Sequence, residues 1–531
     1  MEHLAILPIV LPLFAGAALV LIDDRHHTAK LAINIAATVL LALASLLLLS
    51  QASDGPARSI TYLLGDWPAP YGIVLVVDPL STLMVALTST LAVGVVIFSA
   101  ARWHRAGPHF NSLFQLLLMG LCGAFLTGDL FNLFVFFEVF LAASYGLALH
   151  GSGKSRVKAS LHYIAINLAG SSLFLIGATS IYGVTGTLNM ADLALRIPLL
   201  SPTELTLFQT GAAILGVAFL IKAGMWPLGM WLPTTYAAAA PPVAAMFAIM
   251  SKVGVYVILR LISILIGDGS STSAHFAGVA LQYGGLATII FGTIGVLASQ
   301  GVARIACFSV LVSSGTLLAI VGYEDASVTA GALYYLVSST LALASLFLLV
   351  ELMERGRSPG DDVLAVTLEA YGDDDDEPTH EQDVAVATPG ALAALGGAFI
   401  CCAILLAGMP PLSGFLGKFA IISAMLDAGG TAGVPAGTWA LTGALIISGL
   451  ATTIALVRSG INTFWVSLER VIPGIRWVEI APIVLLLGLS VVMTLFAQPV
   501  MDFMGEAASS LYTRGEYVQA VLDDATTGAL R

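Results

Sequence analysis

The stretch 241–265, PPVAAMFAIMSKVGVYVILRLISIL, is apolar along its whole length apart from Lys252 near the middle and Arg260 near the end. At ~1.5 Å per residue, a helix of this length crosses the ~30 Å hydrocarbon core of a bilayer. Lys252 then lies roughly 16 Å from either end, farther than a lysine stem of about 6 Å reaches by snorkelling. A lone ammonium at that depth costs at least ~2.5–3.5 kcal/mol, so such residues pair, line water-filled cavities or titrate. The run reads as a transmembrane helix that carries a working charge.

Comparable runs recur from end to end. With 58% hydrophobic and 10% charged residues, the chain lies far outside the soluble range and reads as an all-α polytopic membrane protein. Breaks rich in charge, Pro or Gly predict about fourteen spans, near 3–22, 29–50, 78–100, 112–128, 131–149, 160–183, 207–232, 241–265, 278–299, 303–322, 328–350, 391–426, 438–460 and 479–500. The opening Met1, Glu2 and His3 give no basic n-region and the run behind them no small-residue cleavage site, so it is expected to be a retained first span.

Basic residues accumulate in cytoplasmic loops. Those after odd-numbered spans hold Arg25, Lys30, Arg102, Arg105, Lys154, Arg156, Lys158, Arg304, Arg355, Arg357, Arg458, Arg470 and Arg476. Those after even-numbered spans hold Arg58, Arg196 and Arg260, with Arg514 and Arg531 in the tail. The asymmetry predicts a plasma-membrane protein with both termini periplasmic. The net charge of −12 is concentrated between Glu351 and Asp383, where twelve acids face Arg355 and Arg357, so 351–388 is expected to be a solvated cytoplasmic linker.

Three lysines remain, Lys222, Lys252 and Lys418, each well inside an apolar run. Glu138, eighth in the run 131–149, faces the same desolvation cost, and Lys222 is its expected partner: each charge offsets the other, and a proton arriving near the pair changes the balance. Stability alone explains such a pair poorly, because packed apolar residues often do as well.

The chain also interrupts its helices beside these lysines. Pro227, Pro233, Pro241 and Pro242 surround one break, and Gly408, Pro410, Pro411, Gly414 and Gly417 another, inside a run too long for one straight crossing. Non-helical backbone at membrane depth is tolerated where it is buried or lines a wet cavity, which is where ion-coupling sites are built. The Pro-Pro pairs 241–242 and 410–411, one in each half, hint at a duplicated unit of five helices. The expected divisions are a three-helix segment (1–110), a first five-helix unit (111–265), a second (278–460, including the acidic loop) and a last helix with its tail (461–531).

Other polar residues read more plainly. His150 and His162 flank a basic loop and are expected at the interface, with cytoplasmic proton entry as the alternative role. Asp78 and Asp129 are expected to be solvated helix-end carboxylates. Ser313, Ser314, Thr316, Ser338, Ser339 and Thr340 either hold water chains or bond to their own helices. Cys122, Cys307, Cys401 and Cys402 have no metal-site or redox spacing and are expected to pack in the core. No P-loop, dinucleotide-binding glycine motif or zinc-protease motif is present, which argues against an enzyme and against a cofactor.

The segments GAFLTGDLFNLFVFFEVFLAASYGL, YGVTGTLNMADLA, WLPTTYAAAAPPVAAMFAIMSKVGVYVILR and AGMPPLSGFLGKF resemble the D-type subunit of the Mrp-type (Pha-type) multisubunit monovalent cation/proton antiporters, relatives of the antiporter-like subunits of respiratory complex I. The resemblance runs to about residue 500. It implies two inverted five-helix repeats, spans 4–8 and 9–13, with helices 7 and 12 broken. It implies a polar axis for protons through Glu138, Lys222, Lys252 and Lys418, and companion subunits of the A, B, C, E, F and G types. Relatives commonly carry a histidine in the eleventh span, where this chain has Ser338.

The resulting expectation is a proton-translocating subunit that exchanges internal Na⁺ or K⁺ for external H⁺. The alternative is a pumping subunit of a complex I or membrane-bound hydrogenase type, driven by redox chemistry elsewhere. A third reading makes the buried charges mere specifiers of helix assembly.

Overall fold

A computed structural model describes residues 2–23, 25–54, 59–151, 153–265, 272–355, 389–428, 433–464 and 475–528. Most of the predicted linker 351–388 lies outside the described residues; its first five residues belong to the end of a helix and its cap.

Among the described residues, eleven helices are long and apolar enough to cross a membrane, and three shorter apolar helices accompany them. In chain order the helices are α1 (Leu7–Leu21), α2 (His27–Asp54), α3 (Pro79–Ser99), α4 (Phe110–Leu126), α5 (Leu130–Ala148), α6 (Lys154–Thr185), the short α7 (Met190–Arg196), α8 (Pro202–Ala223), α9 (Trp231–Ala238) and α10 (Pro241–Leu265). They continue with α11 (Thr272–Ala298), α12 (Val302–Val321), α13 (Ala326–Glu354), α14 (Pro389–Ala407), α15 (Ser413–Asp427), α16 (Ala436–Phe464), α17 (Trp477–Leu495), α18 (Ala497–Tyr512) and α19 (Arg514–Gly528). Each predicted span overlaps a helix, and the runs 207–232 and 391–426 each fall on two. The last one ends at Leu495, not near 500.

Helix starts follow local chemistry. Asp78, Asp129, Asn189, Ser201 and Asp325 each accept backbone N–H groups at the first turn of α3, α5, α7, α8 and α13, satisfying donors that a helix cannot pair internally. Pro79, Pro202 and Pro241 stand at first helical positions, where a missing N–H costs nothing.

α10, α12 and α13 are buried along nearly their whole length and form the centre of the bundle. The helices around them pack by close approach at glycines, in a pattern that recurs. A Cβ at Gly123 of α4 would meet the Phe136 ring of α5 at 2.3 Å, and one at Gly295 of α11 would meet the Phe308 ring of α12 at 2.1 Å. One turn away, Gly120 meets Phe140 and Gly292 meets Val312 in the same spacing.

The breaks recur too. α8 stops because Gly224 takes the left-handed region (φ 78°), and α14 stops because Gly408 does (φ 74°). Pro227 and Pro411 follow three residues later and prevent the helix from resuming at once. The counterpart of Pro410-Pro411 is therefore Trp226-Pro227. Pro241 and Pro242, expected as helix breakers, instead open α10 in the one turn that tolerates proline.

One end of the bundle carries structure that hydropathy leaves unmarked. A two-stranded antiparallel hairpin, β1 (Ile60–Leu63) with β2 (Val74–Val77), pairs Ile60 with Val77. α18 packs on α13 and α3, and α19 on α7 and β1, so the tail is a folded cap. Cys122, Cys307 and Cys402 are buried and Cys401 half-buried, all unpaired.

Candidate functional site: a line of buried ammonium groups

Lys222 occupies the last turn of α8, just before Gly224 ends it. The carbonyls at a helix C-terminus favour a cation there. Its Nζ donates to Asn167 Oδ1 of α6 at 2.5 Å and lies 5.8 Å from the centre of the Phe137 ring. Asn167 is held in turn by its own Nδ2, which donates to the Tyr163 carbonyl at 2.8 Å.

The expected bond between Lys222 and Glu138 is not formed. Glu138 lies half-buried, with Oε1 shielded from solvent and without a hydrogen-bond partner. Phe137, the residue beside it, turns its ring toward the ammonium instead, and Glu138 acts on Lys222 through space.

Lys252 is fully buried at the centre of α10. Its Nζ donates to Ser313 Oγ at 2.7 Å and to Ser314 Oγ at 3.4 Å, both on α12. Ser313 bonds across to Ser339 of α13 at 3.0 Å, and the adjacent Ser338 bonds to Ser413 of α15 at 2.8 Å. Thr316 and Thr340 return to their own helices, donating to the Val312 and Leu336 carbonyls.

Lys418 approaches the second break from the other side. It belongs to α15, yet its Nζ donates back to the Ala407 carbonyl at 3.0 Å and the Leu406 carbonyl at 3.5 Å, the open end of α14. Both breaks thus hold an ammonium at the C-terminal end of the first half-helix, by a side chain from before the break in one case and from behind it in the other.

Among the described residues, none of the three lysines forms an ion pair. All are held by neutral amides, hydroxyls or carbonyls. A buried ammonium without a fixed countercharge is the kind of group that can give up its proton.

Arginines and carboxylates flank Lys252 along α10, toward either end of that helix. At one end, buried Glu351 accepts from Trp103 Nε1 at 2.5 Å and Arg102 Nε at 2.8 Å, and pairs with Arg355, which also reaches Glu479 at 2.5 Å. Beside this cluster a cavity of about 350 Å³ is lined by Arg102, Trp103, Arg156, Tyr236, Ala244 and Glu351. Ala244 stands two turns before Lys252 on α10. His150 lies at the same end, its Nε2 donating to the Trp103 carbonyl at 2.8 Å, and burial, with help from Arg156, holds it below the usual histidine range. His162 is exposed on the outer face of α6, away from the lysines.

At the other end Arg260, two turns beyond Lys252, forms a two-pronged buried ion pair with Asp78, its second prong at 2.8 Å. The Tyr517 ring of α19 lies 5.6 Å from the guanidinium. Asp78 is thus not a solvated helix-end carboxylate, and Arg260 is not a loop residue. Asp129, half-buried, caps α5 as expected of a helix end.

Residues 127–442 match the NADH:quinone oxidoreductase/Mrp antiporter transmembrane family. The chain belongs to that family. It is 55% identical to a protein of Rhizobium meliloti (strain 1021) named as the D-type subunit of a probable K(+)/H(+) antiporter, over 100% of this chain and 99% of the relative. It is 33% identical to a protein of Alkalihalophilus pseudofirmus named as the D-type subunit of a Na(+)/H(+) antiporter, over 99% of this chain and 100% of the relative. In a solved structure of the Mrp complex from Dietzia sp. DQ12-45-1b, one chain matches with a TM-score of 0.81 at 27% identity, covering 98% of this chain and 99% of that one. The segment matched to the antiporter family contains both breaks and all four candidate charges, and excludes the hairpin and the C-terminal cap.

Proposed function

We propose that this chain is the proton-translocating membrane subunit of a hetero-oligomeric antiporter that exports K⁺ or Na⁺ in exchange for protons. The observation that carries the reading is the line of three buried lysines, none with a countercharge among the described residues, two of them at matching helix breaks. A bundle that needed these charges only for assembly gains little from ammonium groups without countercharges. The names of the relatives support cation/proton exchange, with K⁺ in the more similar of the two.

In this mechanism a proton reaching Glu138 cancels the field that its carboxylate exerts on Lys222. Protons then pass in steps among Lys222, Lys252 and Lys418. The recurrent glycine contacts and breaks support two inverted five-helix repeats around this line. The concentration of arginines and lysines supports a plasma-membrane orientation with both termini on the periplasmic side. The match to an Mrp-complex chain supports assembly with companion subunits, and the resemblance of the sequence implies the A, B, C, E, F and G types.

The test uses the whole gene cluster in an antiporter-deficient host. Everted vesicles build a pH gradient by respiration, and its collapse on adding K⁺ or Na⁺ is followed for wild type and Glu138→Ala at equal assembly. Collapse in wild type alone supports the reading and identifies the ion; no collapse with either ion in wild type overturns it.

A further inference from the structure

Between Lys252 and the half-helix that bears Lys418 stands α13, crossed at one level by serines. Ser313 faces Ser339 on one side of α13, and Ser338 faces Ser413 on the other. We propose that Ser313, Ser339, Ser338 and Ser413 form a hydroxyl bridge that carries protons across α13 between Lys252 and Lys418. The proposal rests on the proton-translocation reading above.

Three observations support it. First, a serine in an apolar helix ordinarily bonds to a carbonyl of its own preceding turn, as Ser345 does with Leu341. Ser313 and Ser338, both buried inside their helices, bond across to the neighbouring helix instead, while Ser339 accepts across and also donates to its own Leu336 carbonyl at 3.3 Å.

Second, the helices are packed to make these bonds possible. A Cβ at Gly331 of α13 would meet the Ile421 backbone at 2.9 Å, and one at Gly417 would meet Tyr335 Cα at 3.0 Å. Larger residues would hold α15 too far off for Ser413 to reach Ser338.

Third, the matching level of α6 is polar as well. Tyr163 and Asn167 stand four apart there, as Tyr335 and Ser339 do on α13. Tyr163 bonds to Ser144 of α5. In the first unit the amide takes Lys222 directly; in the second, the Ser313 hydroxyl takes Lys252.

A hydroxyl both donates and accepts, so it passes a proton without holding one. Lys252 releases a proton to Ser313 Oγ as the Ser313 proton moves to Ser339. One water joins Ser339 to Ser338, and another joins Ser413 to the free amine of Lys418. Each N–H or O–H bond broken is matched by one formed, leaving Lys252 neutral and Lys418 charged. Because serine stores no charge near neutral pH, the two lysines exchange in one concerted movement.

The test uses the intact complex in the vesicle assay, comparing Ser338→Ala, Ser339→Ala and their double variant with Ser338→Thr and with Lys252→Ala. The expected result is an exchange rate per assembled complex reduced at least about tenfold in the double variant. Ser338→Thr keeps its hydroxyl and most of the rate, and the single alanine variants show a raised solvent deuterium isotope effect. Wild-type exchange in the double variant with loss in Lys252→Ala overturns the bridge and leaves the lysine line standing. Wild-type exchange in both overturns the underlying reading. If the alanine variants do not assemble, Ser338→Cys decides: it fills the same space with a weak donor, so a slowed rate supports the bridge and an unchanged rate overturns it.

Discussion

Lys222 gives its hydrogen bond to the side-chain oxygen of Asn167, a neutral amide, while Glu138 stands off with one carboxylate oxygen unpartnered. A neutral acceptor orients the ammonium without fixing its charge. Asn167→Asp would supply a permanent counterion at hydrogen-bond distance and hold the proton on Lys222. We expect this variant to assemble and lose cation-dependent gradient collapse by at least about tenfold, with Asn167→Ala impaired less. Equal rates in Asn167→Asp and wild type would show that Lys222 does not give up its proton in turnover.

The two break glycines are alike in backbone and different in what they touch. Alanine at either costs about 1–2 kcal/mol of left-handed strain. At Gly408 the new Cβ would also lie 2.6 Å from Lys418 Cδ, whereas at Gly224 it would meet the movable end of Leu311 at 3.1 Å. Gly408→Ala should therefore displace the Lys418 ammonium from the end of α14. The expectation is similar loss of thermal stability in the two variants but a greater loss of exchange per assembled complex in Gly408→Ala; equal losses of exchange would refute the special position of Lys418.

The lysines are legible in the sequence because a charge inside an apolar run is costly wherever the helix points. Their partners are not, because partner choice depends on which face each helix turns inward. Glu138 and Lys222 look like a pair by depth alone, yet the amide of Asn167 takes the ammonium. An asparagine in the run 160–183 costs far less than a charge and gives a correspondingly weak signal. The Pro-Pro pairs suggest duplication, but the repeated feature is a left-handed glycine followed by proline, and Pro241-Pro242 merely opens a helix. The C-terminal cap escapes hydropathy because α19 is amphiphilic and is held in place by packing Tyr517, Val518 and Val521 onto the bundle.

The ion pair of Asp78 with Arg260 tests the opposite case, a buried charge that is fully compensated. Removing one partner strands the other in a dry site at about 3–5 kcal/mol, whereas replacing both with apolar residues is often nearly neutral. Asp78→Ala should lower the thermal stability of the purified complex strongly, and Asp78→Ala with Arg260→Met should recover most of it. A double variant as unstable as the single one would mean that the contacts of Arg260 with Tyr256 and Tyr517 outweigh the pair itself.

His150 gives the stability of the bundle a pH dependence with a definite sign. Its Nε2 must donate, since its partner is the Trp103 carbonyl, and its backbone carbonyl accepts from Arg156 at 2.8 Å. Burial, and then the nearby Arg156, lower its pKa below the ordinary 6.5, so the folded protein binds this proton less readily than the unfolded chain. The stabilisation is fully present above pH 6.5 and is lost as pH falls through the lower folded-state value. We expect the wild-type melting temperature to drop between pH 7.5 and 5.5, and His150→Gln, which keeps a donor but does not titrate, to drop less. Equal drops would assign the acid sensitivity to another group, and the buried His104, lowered by burial and by Arg105, would be tested next.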